Sequence, residues 1–415
     1  MVVEHIILAL VLMLGLSLLA QPVSRLLHMP LASILVLLGY ITSELIVSVG
    51  FDTGIRSDNF QSIIFYVFIP VLVFESAYNI DKLQLKKNLV VILSLAIIAM
   101  LLTCFIVAAL LFYGIGHESG FPWLAALITG AIVAATDPVA VVAKLREMKA
   151  PKRISVLLEG ESLFNDATAI VLFSLFLSMA TATSGVHTTG DIQSIVDVVL
   201  RFIVIFAGGA LTGLVVGLVF GLIQTKVKQT LLTGVMSLIV AYGSYLLAEY
   251  LMVSGVMSTL LAALSFSIMS HRDMADNDSE SSVLNKYLWD VLSHVATVSV
   301  FLIVGAVITL EMFEQRWLAM LIAIFSLVLA RAISVYGVML LFAFIKKLKV
   351  SLSAQTVMVW GGLRGAVTLA LALSLPTSLD YWWTIQSITF GVVMFSLFVQ
   401  APSMQILVEK LSLKE

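Results

Sequence analysis

Two short stretches hold most of the side chains that could do chemistry in this chain. The first reads Gly130-Ala131-Ile132-Val133-Ala134-Ala135-Thr136-Asp137-Pro138-Val139. Pro138 lacks the amide hydrogen a helix needs and frees a carbonyl about one turn back. Thr136, Asp137 and Pro138 therefore predict a helix break that brings a hydroxyl, a carboxylate and bare carbonyls together. Those oxygens are what a hard cation prefers as ligands. The plainer alternative is a proline kink with a hydrogen-bonded aspartate. The second stretch reads Leu158-Glu159-Gly160-Glu161-Ser162-Leu163-Phe164-Asn165-Asp166-Ala167-Thr168. Ser162, Asn165 and Asp166 stand at i, i+3 and i+4, so one helix face carries all three. Glu161 and Asn165, four apart, form an adjoining polar stripe. A polar seam between packed helices is the alternative here, and three acids in eight residues argue against it.

The elements that position these residues must lie in lipid. The chain has 415 residues, 60% of them hydrophobic, a mean hydropathy of +1.10 and 12% charged residues, where a soluble chain carries roughly 25% charge. Runs such as Ile6–Ala20, Leu89–Tyr113 and Phe202–Ile223 hold no Asp, Glu, Lys or Arg. A helix needs roughly 20 apolar residues to cross a hydrocarbon core, and several runs reach or approach that. The fold class is an all-α membrane bundle; the alternating short strands of a membrane barrel are absent. The single Cys104 leaves no disulfide framework and no zinc spacing. A net charge of −2 gives no general case for nucleic acid as a partner. The first apolar run follows Glu4 and His5 rather than a basic segment, so it reads as a retained helix and not a cleaved signal.

Breaking the chain at its Gly, Pro and charge clusters gives thirteen expected spans. They lie near 4–21, 31–49, 59–79, 89–114, 122–144, 154–183, 202–225, 231–250, 254–270, 287–310, 317–345, 353–373 and 382–408. Cytoplasmic loops hold the positive excess. With the N-terminus outside, the inner segments collect 18 of the 23 basic residues, among them Lys82, Lys86 and Lys87 and the cluster Lys144, Arg146, Lys149, Lys152 and Arg153. The C-terminus is then inside. Asp137 sits about 10 Å from the inner surface at about 1.5 Å per residue, and Asp166 falls near the middle of the bilayer. The longest polar insert, His271 to Asn285, reads as a solvated loop. No soluble regulatory domain is expected.

Ionisable groups inside a membrane are costly and need partners. Glu75 is placed near the cytoplasmic end of the third span, either lining an access funnel or as an interfacial acid. Arg331 and Arg364 are the two basic residues inside apolar spans. Each should face a carboxylate or freed carbonyls, and Glu161 is the natural partner for one of them. Gly361, Gly362 and Gly365 around Arg364 also permit a broken helix. Gly209, Gly213, Gly217 and Gly221 repeat every fourth residue, the pattern of close helix packing. That face could serve a dimer or an internal contact.

At these residues the chain resembles the monovalent cation:proton antiporters of the first family, which contains the bacterial NhaP proteins and the animal NHE exchangers. The likeness runs over nearly the whole chain. It rests on Ala135-Thr136-Asp137-Pro138-Val139, Glu161-Ser162-Leu163-Phe164-Asn165-Asp166, Phe301-Leu302 with Gly305, Arg331-Ala332, and Gly361-Gly362-Leu363-Arg364-Gly365-Ala366. The resemblance implies two inverted repeats, about 4–183 and 231–410, joined by a linking helix at about 192–226. It implies that broken helices cross near Asp137 and Arg364, with the ion site at the midplane. Asp166 is then the acid that carries cation and proton, Asn165 its neutral neighbour, and Glu161 a structural acid paired with a buried arginine. The family pattern favours Arg331 for that pair, while the residues alone leave Arg364 open. Thr136, Ser162 and Glu75 match positions that contribute cation ligands. The resemblance also implies transported Na⁺ (or Li⁺ or K⁺) and H⁺, no cofactor, a lipid-embedded homodimer, and a bacterial or archaeal plasma membrane.

Exchange is expected to be electroneutral, one cation for one proton, because a carboxylate withdrawn from water favours a bound proton or an adjacent cation. Asn165 matters here, since a second carboxylate would admit a further proton. Asp137 is expected to stay ionised beside Arg364 or the broken helix ends. A potassium/proton antiporter of the same fold is the near alternative. An intramembrane protease fits less well: Gly160-Glu161-Ser162-Leu163-Phe164 lacks the final Gly of a nucleophile elbow. A passive cation channel would need a continuous pore.

Overall fold

The structure is a computed structural model and describes residues 3–27, 29–48, 63–115, 121–183, 195–227, 229–272, 280–345 and 348–411. Among the described residues every regular element is helical. In chain order they are α1 (Val3–Leu27), α2 (Leu31–Ser48), α3 (Ile64–Asn79), α4 (Lys82–Gly114), α5 (Trp123–Ala134), α6 (Val139–Glu147), α7 (Lys152–Thr183) and α8 (Ile195–Lys226). Then come α9 (Thr230–Tyr250), α10 (Gly255–Arg272), α11 (Glu280–Val307), α12 (Leu310–Leu341), α13 (Leu352–Trp360), α14 (Ala366–Leu373) and α15 (Trp382–Lys410).

Each expected span coincides with one of these helices or with a broken pair, α5 with α6 and α13 with α14. Among the described residues, nine helical stretches are long and apolar enough to cross a membrane, and Leu31–Leu45, Ile64–Asn79 and Gly255–Met269 are apolar but shorter. The turn after α9 is sharp, with Met252 at φ 56°, and it separates α9 from α10 where the sequence offers only Glu249 to Ser254. Four helices begin seven residues earlier than hydropathy suggests, α4 at Lys82 and α12 at Leu310 among them. Helix α8 starts at Ile195, and α11 starts at Glu280, inside what reads as a polar loop. A helix need not end where the hydrocarbon does, and Asn285 in that first stretch of α11 is buried. The His117–Gly120 loop, Arg56, and most of the acidic insert (273–279) lie outside the described residues.

The helices pack as two groups. Helices α1, α2, α3, α8, α9, α10 and α11 form one, and α4 to α7 with α12 to α15 form the other. Helix α7 makes the main contact between them, meeting α3, α8 and α10. In the first group the glycine face of α8 lies on α10. Gly209 meets Ser254, Gly213 the Ser258 backbone, Gly217 Ala262 and Ser265, and Gly221 Met269. The four-residue repeat therefore serves an internal contact, because a Cβ at Gly213 would fall on the Ser258 carbonyl. Tyr78, Ser237, Asn285 and Trp289 add a buried hydrogen-bond network across α3, α9 and α11. In the second group each broken helix lies against two unbroken ones: α5 against α4 and α7, and α14 against α15, with α13 against α12.

Candidate functional site

The first break forms where proline chemistry requires it. Helix α5 ends at Ala134, and Ala135 is extended at φ −58°, ψ 141°. The residue before a proline is driven out of the helical region, and α6 restarts only after Pro138. In the second break α13 ends at Trp360, and residues 361–365 run unwound to α14. The two unwound segments touch. The Asp137 N–H donates to the Leu363 carbonyl at 2.7 Å. The contact also explains a glycine. A Cβ on Gly365 would overlap the Asp137 side chain, so only glycine lets the two breaks approach this closely.

Broken helices expose four ends with partial charge, positive at N-termini and negative at C-termini. Each end has a counter-charge. Asp137 Oδ1 accepts the Val139 N–H at 3.1 Å, at the start of α6, and its carboxylate also takes the Ala366 N–H, at the start of α14. One carboxylate thus serves two positive ends. Arg364 Nε donates to the Val133 carbonyl at 2.8 Å, at the end of α5, and its Nη1 donates to Gly362. Arg331 Nη2 donates to the Met358 carbonyl at 3.3 Å, in the last turn of α13. Arg331 Nη1 also lies 2.5 Å from Glu161 Oε1. That is an ion pair by distance whose angle is not that of a hydrogen bond, and both side chains are almost wholly buried. The choice the residues leave open is thereby resolved in geometry: Glu161 faces Arg331, whereas Arg364 turns to freed carbonyls. Asp137 sits on the helix ends rather than on Arg364.

Helix α7 supports the first break from beside it. Ser162 Oγ donates to the Thr136 carbonyl. Asn165 Nδ2 donates to the Ala134 carbonyl and to Thr136 Oγ1, both at 3.3 Å, and Asn165 Oδ1 is buried without a hydrogen-bond partner. Thr368 Oγ1 of α14 reaches the Ala135 carbonyl at 3.5 Å. Asp166 is on the same face of α7, near enough to Asp137 for their charges to interact, and no hydrogen bond from the described residues engages it. The structure thus brings Thr136, Asp137, Ser162, Asn165 and Asp166 together. Glu75 is elsewhere, accepting from Asn79 at 2.8 Å, with Ser293 of α11 at 3.5 Å. Two participants are not evident from spacing alone. Thr368 lies four residues past Arg364, and Glu159 pairs with Arg146 of α6 at 2.5 Å.

This arrangement has recognisable relatives. Residues 8–410 match the family model described as the transmembrane sodium/hydrogen exchanger. The Na⁺/H⁺ antiporter ApNhaP of Aphanothece halophytica is 34% identical over 411 residues, covering 99% of this chain and 75% of that protein. The Na⁺/H⁺ antiporter NhaH of Halobacillus aidingensis is 28% identical, covering 99% of both chains. In fold, the sodium proton antiporter MjNhaP1 of Methanocaldococcus jannaschii, solved at pH 8, superposes with a TM-score of 0.80 at 24% identity, covering 100% of both chains. With a family match across nearly its whole length and two touching helix breaks at its centre, this chain is a multi-pass membrane protein that belongs to the sodium/hydrogen exchanger family.

Proposed function

We propose that the chain exchanges Na⁺ (or Li⁺) for H⁺, with both competing at Asp166. The observation that carries this reading is the Asp166 carboxylate, which has neither a hydrogen bond nor an ion pair among the described residues, while Glu161, Arg331, Arg364 and Asp137 around the breaks each have one or the other. A carboxylate withdrawn from water and left without donors binds a proton or a cation. Asp137, fixed by two helix N-termini, remains charged and adds negative field. Thr136, Ser162 and Asn165 supply neutral oxygens beside it. Glu75 serves the approach rather than the centre, and Glu161 with Arg331 holds α7 to the helices of the second break. Alternating access follows if the two helix groups move against each other across α7.

The same reading includes two inverted repeats, 4–183 and 231–410, joined at α8. Their support is that each broken helix packs between unbroken ones. It also includes an external N-terminus, a cytoplasmic C-terminus, a homodimer in a lipid plasma membrane, and a transport role rather than catalysis. The test is purified protein in vesicles with an internal pH dye, given Na⁺, Li⁺ and K⁺ in turn. Na⁺ and Li⁺ should move protons, and Asp166→Asn should abolish the response. A response to K⁺ alone would replace sodium with potassium. Exchange that survives Asp166→Asn would overturn the site.

A further inference from the structure

Arg146 ends the α6 half-helix, and Glu159 lies on α7 seven residues before Asp166. Seven residues are nearly two full turns, so Glu159 and Asp166 lie on one face of α7, about 10 Å apart along its axis. Arg146 Nη2 meets Glu159 Oε1 at 2.5 Å, with the Glu159 side chain 24% exposed and that of Arg146 69% exposed. Around Glu159 stand further charges from other elements. Glu75 of α3 and Asp81, which caps α4, both act on it electrostatically, and Asp290 of α11 acts on Glu75. The nearby Lys82 is committed elsewhere, donating to the Tyr78 carbonyl at 2.5 Å and lying over the Tyr78 ring. Arg146 is thus the cation bonded directly to Glu159.

A pair this open to water contributes little to stability. Its position is therefore better accounted for by its field. We propose that the Arg146–Glu159 pair sets the affinity with which a cation is taken up from the α6 side, Glu159 drawing it toward Asp166 and Arg146 offsetting part of that charge. Arg146 is a positioning residue acting through Glu159. The inference rests on Asp166 as the carrier. It adds that affinity on one side is adjusted two turns away from the carrier.

The experiment measures Na⁺-driven proton movement in vesicles of known sidedness, with cation added to either face. Glu159→Gln should raise KM for Na⁺ added on the α6 side by about threefold to tenfold, the range for a unit charge about 10 Å away at a partly aqueous dielectric, with kcat unchanged. Arg146→Gln should lower that KM, and Arg146→Lys should leave it near wild type. Both shifts should grow at low ionic strength. Shifts in the same direction for Glu159→Gln and Arg146→Gln, equal shifts from both faces, or no shift would overturn the proposal. If Glu159→Gln does not fold, Arg146→Gln decides alone: a lowered KM supports the pair's role, a raised or unchanged KM refutes it. Failure here is distinct from failure of the carrier assignment, which would show as exchange by Asp166→Asn or none by the wild type.

Discussion

Glu161 and Asp166 are five residues apart on one helix, yet their surroundings differ in kind. Glu161 faces the Arg331 guanidinium with both side chains nearly inaccessible, while Asp166 has no such partner. Breaking a buried ion pair by removing one member costs about 3–5 kcal/mol, because the other charge is left uncompensated. Glu161→Gln should therefore lower the thermal unfolding temperature and folded yield far more than Asp166→Asn. Asp166→Asn should leave stability equal or raised, since it removes an unpaired charge from a poor solvent. Thermal melts of the two variants in the same detergent check this. A Glu161→Gln protein as stable as wild type that merely stops transporting would make Glu161 part of the ion path. Much of this was legible in the residues. The i, i+3, i+4 spacing of Ser162, Asn165 and Asp166 is a property of the helix alone. The identity of Glu161's partner was not, because 170 residues separate it from Arg331 and only packing brings them together. Glu159 was equally hidden, since its meaning depends on Arg146, across a loop on a different helix.

At the scale of elements, the two breaks differ in how plainly they announce themselves. Pro138 removes a donor, so the gap between α5 and α6 could be placed to within a residue or two. The gap between α13 and α14 has no proline, and three glycines merely allow it. Its cause is tertiary: Leu363 accepts the Asp137 N–H, and Gly365 makes room for the Asp137 side chain. Gly365→Ala should accordingly force Asp137 off the helix N-termini and abolish exchange in the vesicle assay. Gly337→Ala on α12 is the control, with open space around the added methyl, and it should gain about 0.5–1 kcal/mol from helix propensity. Full exchange by Gly365→Ala would mean that the contact between the breaks is dispensable. The glycines of α8 show another limit of pattern reading. A small-residue face means close approach, but not to which neighbour, and here the neighbour is α10. Gly213→Leu should therefore reduce folded yield, while the oligomeric state of what does fold is unchanged. A stable, correctly folded Gly213→Leu protein that has changed only its oligomeric state, read by crosslinking or light scattering, would contradict this assignment.

For the molecule as a whole, the question is how much charge crosses the membrane in each cycle. The groups around the breaks divide into those whose charge is already balanced and one whose charge is not. Glu161 is balanced by Arg331, Arg364 by the carbonyls of Val133 and Gly362, and Asp137 by the N–H groups of Val139 and Ala366. On the proposed reading, Asp166 is balanced by what it carries. Loaded with one cation or one proton it is neutral. The empty carboxylate would instead take a bare charge through the barrier between the two accessible states, which is costly away from water. With Asp166 as the proposed carrier, exchange would thereby be coupled and leak suppressed. Asn165 strengthens the case, because its amide is spent on Thr136 and Ala134 and it takes up no second proton. The expected stoichiometry is one cation for one proton. In vesicles clamped with potassium and valinomycin, the initial rate of Na⁺-driven proton movement should be the same at an imposed potential of either sign as at none. If a potential accelerates exchange, net charge moves in each cycle. Asp137 would then have to release its hold on the two helix N-termini and take up a proton alongside Asp166, and Asp137→Asn should restore insensitivity to potential if it still transports.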